Sequence, residues 1–375
     1  MGGMVDTAAF YTLLCGALLF VTLVVKLKKA TNPRQNGGVN LPPGPWGLPV
    51  IGSIHCLLGS LPHHVTMRNL ALRYGPVMLL RLGHVQTLVL SSPEAAREAM
   101  KTHDVAFATR AVTPTASILT YGARDIVFAP FGKHLRELRK LCTLELLSPK
   151  RRDGGLGITL TKEIVSAVLF DLFAAGSETT PTTIIWAMSE LMRNPHVMER
   201  AQSEIRQVLH GKSKVSEADI EDQLHYLHLV IRETLRLHPP VPFVIPRLCS
   251  EPNSKIMGYD IPLGTTVLVN VSAIGRDKKI WKDADEFRPE RFKDDIVDFS
   301  GTDFRFIPGG AGRRMCPGLT FGVSNIEIVL ASLLYHFDWK LPSETGECEL
   351  DMSEIQGVTA RRRTDLLLKA THVYA

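Results

Sequence analysis

Apolar and polar positions follow different rhythms along this chain. Thr7 to Val25 carries no charged residue and then meets Lys26, Lys28 and Lys29, the length and flank of an N-terminal membrane anchor whose lysines stay cytoplasmic, with a cleavable signal peptide and a buried core helix as the alternatives. Val77 to Leu82 and Val85 to Leu90, split by Gly83-His84, read as a β-hairpin. Ser92-Pro93-Glu94 opens a helix to about His103. A second strand pair fits Lys255 to Val271 around Pro262-Leu263-Gly264. Lys133 to Leu147 is a helix with a basic face of Arg136, Arg139 and Lys140, the usual mark of a solvated surface. Thr161 to Met192 differs: Val165, Val168, Leu169, Leu172, Phe173, Ile184, Ile185, Trp186 and Met188 leave no polar stripe, which predicts a helix buried inside a large domain. At about 1.5 Å per residue it runs on the order of 45 Å. Ser216 to His238 and Leu319 to Tyr335 complete a set with many helices and few strands. The class is α+β, mainly α with small sheets.

Breaks in these rhythms divide the chain. Leu41-Pro42-Pro43-Gly44-Pro45-Trp46-Gly47-Leu48-Pro49 is excluded from helix and central strand, so it reads as a stiff hinge. The division is an anchor with a basic stop over 1–29, a hinge over 30–52 and a catalytic domain over 53–375. Ser148 to Gly157 is a polar linker inside that domain. Within the long apolar helix, Pro181 is unable to donate to the Ser177 carbonyl and Gly176 is a weak helix former, so a kink or opening is expected there. That would place Glu178 and the Thr179 hydroxyl beside a freed carbonyl, as a proton path requires. A threonine bonding its own i−4 carbonyl is the ordinary alternative.

Composition narrows the function classes. With 375 residues and 45% hydrophobic content, the chain can build one large core or two ordinary ones. The net charge of +5 is dispersed and aromatics are only 7%, which argues against a nucleic-acid surface. Cys15, Cys56, Cys142, Cys249, Cys316 and Cys348 form no framework of short spacings and fit a reducing compartment.

The chemistry concentrates in Phe304 to Gly318. Gly309, Gly310, Gly312 and Gly318 clear space around Cys316 for a flat ligand. Pro317 and the apolar run after it put Cys316 at a helix N-terminus, where the dipole and the nearby Arg313 and Arg314 favour thiolate. No second Cys or His lies within four residues, so paired zinc spacing is absent. A metal ligand, a nucleophile and a buried structural cysteine all remain open from the loop alone. Upstream, Glu233 and Arg236 stand at i,i+3 on a crowded apolar helix, and Arg291 of Phe287-Arg288-Pro289-Glu290-Arg291-Phe292 could complete a buried ion network.

Taken in this order, the anchor, the proline hinge, Ala175 to Thr180, Glu233-x-x-Arg236, Pro289 to Phe292 and the Gly309 to Gly318 loop resemble the plant microsomal haem-thiolate monooxygenases, the cytochrome P-450 family. The resemblance implies haem b with Cys316 as axial iron ligand and Arg139, Arg247 and Arg314 at the propionates, with Gly310 and Gly312 in the cofactor loop. Thr179 would hold the bound oxygen and Glu178 would help to deliver protons. Glu233, Arg236 and Arg291 would steady the cysteine loop. Val168, Phe173, Ala174, Pro242, Phe243 and Val358, the last in the Gln356-Gly357-Val358-Thr359 turn, would line the pocket of a small apolar substrate such as a terpenoid, indole or phenolic. Electrons would come from NADPH through a membrane-bound flavin-containing reductase. The enzyme would sit in the endoplasmic reticulum membrane as a single-pass protein, with its catalytic domain cytosolic.

Three features depart from the family pattern. Leu135 stands where a propionate-holding Trp is usual, and Gly309 where a Phe shields the sulfur. A long multi-helix segment is missing between Leu147 and Thr161, which makes the fold an incomplete version of the family's. A catalytically impaired or silent shortened chain, keeping only part of the haem platform, is the alternative reading.

Overall fold

Strand alternation divides the β-rich part of the molecule between two cores. Hairpin β1 (Val77–Leu82) and β2 (Val85–Leu90) pairs antiparallel, with Val77 opposite Leu90. Val77, Leu79, Leu88 and Leu90 point into one cluster with Phe107, Phe304 and Ile307, while Met78, Leu80 and Val89 pack on Leu57 and Met67 on the other face. The sheet thus sits between the segment containing the cysteine loop and helix α1 (His63–Tyr74). β6 (Thr266–Val269) joins β2 in parallel, and β3 (Arg247–Leu248) closes the order β1-β2-β6-β3. Two further ribbons pair β4 (Ser254–Ile256) with β5 (Tyr259–Ile261) and β7 (Phe337–Lys340) with β8 (Lys369–His372).

In this computed structural model the described residues are 38–147, 158–220, 223–295, 297–342 and 350–373, with scattered positions between 11 and 22. The polar linker predicted at Ser148 to Gly157 lies outside them.

Helix α2 (Lys133–Leu141) continues as a π-helical turn through Leu146. Its buried Leu135 and Leu138 join Ile126, Ala129 and Cys142 in a cluster against Ile164 and Val168. Those last two belong to α3 (Lys162–Arg193), whose N-terminus is capped by the Thr161 hydroxyl accepting from the Ile164 amide at 3.4 Å. The largest core gathers the C-terminal half of α3 with α4 (Pro195–Val208), α5 (His225–Leu237) and α6 (Leu319–His336).

Several expectations need correction. The mixed α+β class stands, but the N-terminal anchor attached to it does not. Among the described residues the one helix long and apolar enough to cross a bilayer is Leu319–His336, far from the N-terminus. Its Val323, Ile326, Leu330, Ala331 and Leu334 are packed in the core, which explains an apolar composition without a membrane. Most of Thr7 to Val25 lies outside the described residues.

The second hairpin turns at Met257-Gly258, both at positive φ (48° and 80°), rather than at Pro262 to Gly264. The Pro262 to Gly264 turn instead leads into β6, which pairs with β2. The long helix expected from Ser216 is split into Glu217–Ile220 and α5. Nor does α3 open at Pro181, which is accommodated inside a continuous helix.

Candidate active site

The cysteine loop lies between the β-sheet core and the N-terminus of α6. Gly310 and Gly312 have φ of +73° and +66°, and a Cβ on Gly312 would come within 2.0 Å of the Met100 carbonyl oxygen. Only glycine permits this approach. The Cys316 amide donates to Gly309 O at 2.9 Å, which folds the loop back beneath the cysteine. Helix α6 begins at Leu319 with Gly318 as its cap, so Cys316 stands just ahead of the helix N-terminus, and the first helical position is Leu319 and not the expected Pro317.

Cys316 is exposed on one side. The protein around it pushes the thiol pKa up, while the Gly318 amide hydrogen bond and the Arg139 guanidinium pull it down. The cation beside the sulfur is therefore Arg139 from α2, in place of the Arg313 and Arg314 expected from sequence proximity. Without a ligand the net shift is toward the thiol.

Four guanidiniums converge around this loop. Arg139 donates to Met315 O at 2.6 Å. Arg247 donates to Ala311 O at 2.7 Å and pairs with Asp104 at 2.9 Å. Arg314 donates to the carbonyls of Ala108, Ile126, Val127 and Ala129. Arg110, which the sequence reading missed, donates to the carbonyls of Ile245 and Pro246, but its buried Nε has no hydrogen-bond partner among the described residues.

Burial, followed by the charges of Arg247, Arg314 and Arg139, holds Arg110 well below the usual arginine range. The same desolvation and crowding bring Arg314 down to about 10. Asp104 accepts from both Arg247 and the Arg313 amide, and the buried Asp125 also acts on Arg314; four guanidiniums against these two carboxylates leave positive charge in excess. Such an arrangement favours an anionic group.

A cofactor with two carboxylates and a thiolate-binding metal fits this donor set. Leu135 is fully buried among Ile126, Ala129, Leu138 and Val168 and has no hydrogen-bonding group to offer it. A lone arginine in the apolar run Val105 to Val112 was the available sequence signal for Arg110.

Beneath the loop the predicted ion network is assembled. Glu233 and Arg236 are fully buried and bidentate, at 2.7 and 2.8 Å. Arg291 Nε and the Arg288 amide donate to Glu233 Oε1 at 2.9 and 2.7 Å. Arg236 also donates to the carbonyls of Gly275, Ala284 and Glu286. Every charge here has hydrogen-bonded company, the condition under which a buried pair is tolerated.

On α3, the Thr179 hydroxyl donates to Ala175 O at 2.9 Å, the ordinary i−4 bond. Glu178 instead reaches the C-terminal hairpin. Of the predicted pocket residues, Phe173, Ala174 and Val358 are exposed, Pro242 is buried and Phe243 is half-buried against the sheet core. Val168 is instead packed in the α2 cluster.

Asp171, also missed, is buried on α3 and accepts the amides of Ile126 and Val127 at 2.8 and 3.2 Å. It therefore shapes the segment whose carbonyls hold Arg314. Burial and the neighbouring Asp125 raise its carboxyl to about 7.

The family profile described as Cytochrome P-450 matches residues 42–153 and 146–368. A premnaspirodiene oxygenase from Hyoscyamus muticus is 36% identical over 494 aligned positions, covering 96% of this chain and 98% of the relative. A salviol synthase from Salvia pomifera is 36% identical, covering 93% and 95%. An alignment of 494 positions on a chain of 375 residues leaves more than a hundred positions of the first relative facing a gap. In fold, a zebra fish cytochrome P-450 solved with abiraterone is similar at a TM-score of 0.71 and 23% identity, covering 84% of this chain and 100% of that chain. With the profile matched across most of its length and relatives this similar from end to end, the chain belongs to the cytochrome P-450 family of haem-thiolate monooxygenases.

Proposed function

We propose that Cys316 would ligate the iron of haem b and that Arg110, Arg139, Arg247 and Arg314 would receive its carboxylates. The observation that carries this reading is the excess of buried positive charge around the cysteine loop, including the unpartnered Arg110 Nε. Planar guanidinium forks suit carboxylates. When bound, haem supplies activation of O2 for insertion of one oxygen atom into substrate, with the cysteine thiolate favouring O–O cleavage.

The chain's own residues provide the rest. Glu233, Arg236 and Arg291 hold the loop beneath the sulfur. Thr179 and Glu178 would supply a hydroxyl and a carboxylate for proton transfer. Phe173, Ala174 and Val358 present an apolar face to substrate, and Pro242 and Phe243 back it. A small apolar plant specialised metabolite, such as a terpenoid, indole or phenolic, matches that face, and the premnaspirodiene oxygenase and the salviol synthase among the relatives support this substrate class. Electrons come from NADPH through a membrane-bound flavin-containing reductase, with the catalytic part on the cytosolic side of the endoplasmic reticulum membrane.

The test is the reduced, carbon monoxide difference spectrum of the chain in membranes. A strongly red-shifted Soret band, lost in Cys316→Ser, is expected. Retention of that band in Cys316→Ser overturns the ligand assignment. Thr179→Ala is expected to lower product formed per NADPH consumed, and an unchanged ratio removes Thr179 from the proton path.

A second reading is favoured by a separate observation. Leu169, Phe170 and Phe173 are exposed along α3, next to the place where the two profile matches meet at 146–153. We read this as an internally shortened chain whose pocket lacks its roof. A band without turnover would identify a catalytically impaired form that keeps the haem platform.

A further inference from the structure

The C-terminal segment Glu354 to Arg362 folds back onto the middle of α3 as a short hairpin. Glu354 and Arg362 face each other across an antiparallel bridge, and the Ile355 amide donates to Arg361 O at 2.9 Å. The hairpin is fixed at its base by contacts that do not involve the site. Glu354 Oε2 lies 2.8 Å from His64 Nε2. Trp186 Nε1 donates to Ala360 O at 2.7 Å, the Ala360 amide donates to Pro240 O at 2.9 Å, and Arg362 donates to Ser189 Oγ at 2.9 Å.

Between this base and the exposed Val358 tip, two side chains converge on one carboxylate oxygen. Thr359 is buried and donates its hydroxyl to Glu178 Oε1 at 2.7 Å. Arg361 Nε lies 3.2 Å from the same oxygen. Among the described residues Glu178 Oε2 makes no hydrogen bond, so one oxygen is held and the other remains for exchange. The Arg361 pair is half exposed, and such pairs contribute little to stability. With the base anchored elsewhere, the fold does not need this contact to keep the hairpin in place. Its consequence is orientation of the carboxylate.

We propose that Thr359 and Arg361 are positioning residues that aim the Glu178 carboxylate for proton delivery. This rests on the reading of Glu178 as the acid of the site. Because Val358 precedes Thr359, the substrate-facing tip and the acid are held by one rigid turn.

The primary measurement uses the full chain before haem loading. Glu178 is labelled with a water-soluble carbodiimide and an amine, quantified by mass spectrometry, in the parent chain and in Thr359→Val/Arg361→Met. Labelling at Glu178 is expected to rise about threefold or more as the held oxygen is released, while amide exchange at Ile355 and Ala360 stays unchanged. Thr359→Ser and Arg361→Lys are expected to restore the parent labelling. In the haem-loaded chain the double variant should lower product per NADPH by about fivefold, a fraction of the roughly hundredfold or more that general acid catalysis supplies.

Unchanged labelling overturns the inference, as does faster exchange at Ile355 and Ala360, which would mark a structural contact. If Glu178→Gln uncouples turnover but the double variant does not, the acid reading survives and the positioning role falls. If Glu178→Gln leaves product per NADPH unchanged, the acid reading falls and the positioning role with it.

Discussion

The two halves of α3 are both apolar in sequence and meet opposite fates. In the C-terminal half Ala187, Met188 and Leu191 are buried among α4, α5 and α6, and Trp186 is fully buried. Trp186 stacks on His238 with ring centroids 4.0 Å apart and planes within 4°. In the N-terminal half only the stripe Ile164, Ala167, Val168 and Asp171 is buried, while Leu169 is 58% and Phe173 76% exposed. An all-round apolar composition shows that a helix can be buried, but burial requires neighbours. One half has three packed helices and the other has a single cluster from α2 and the segment before it.

The contrast can be broken experimentally. The largest effect should come from the packed side, at Glu233→Gln, which leaves Arg236 and Arg291 with an uncompensated buried charge. A loss of about 3–5 kcal/mol is expected for breaking one partner of such a pair, read by chemical denaturation. A loss below about 1 kcal/mol would mean that the platform is no more rigid than the open face. Trp186→Ala should follow at about 3–5 kcal/mol because it empties a large packed site.

Titration separates the halves by sign. Asp171, raised to about 7 by burial and Asp125, lies above its unfolded value. Its contribution is full below about pH 4 and lost as pH rises through about 7. Near the C-terminal half, burial alone would raise Glu354, but the His238 and His64 rings, with nitrogens 3.8 and 2.8 Å from its oxygens, outweigh it and bring the carboxyl down to about 2. Its contribution is present above about pH 4 and lost as pH falls through about 2. Asp171→Asn should therefore flatten the stability profile between pH 4 and 7, and Glu354→Gln the acid limb below it. Unfolding midpoints across pH for both variants check this, and identical profiles would remove the distinction.

The smallest effect belongs to the open face. Leu169→Ser and Phe173→Ser should each change stability by no more than about 0.5 kcal/mol, as exposed positions do. A loss of several kcal/mol at either would show that the face is covered in solution.

Much of the site was legible because its chemistry is local. Gly310 and Gly312 are required as glycines, by positive φ at both and by the approach of Gly312 to the Met100 carbonyl. Strands Val77–Leu82 and Val85–Leu90 and the span of α3 followed from short-range patterns. Other features were hidden by sequence distance. Arg110 is a lone arginine in an apolar run whose neighbours Arg247 and Arg314 lie far along the chain. Asp171 faces the Ile126 amide across 45 positions. The turn at Met257-Gly258 was obscured by the more conspicuous Pro262 to Gly264.

The sequence by itself determined the mixed α+β class, the cysteine loop, the Glu233-x-x-Arg236 pair and the family to which the chain belongs. The loop and the pair rest on backbone conformation or spacing within a few residues, which nearest neighbours along the chain can enforce, while the class and the family rest on the order of such local patterns along the chain. The tertiary structure alone decided which apolar helix faces are covered, which arginine stands beside Cys316, and that Glu178 is held by a hairpin 181 positions later. Burial and charge depend on which surfaces meet, and no local pattern encodes what a side chain will find on the other side.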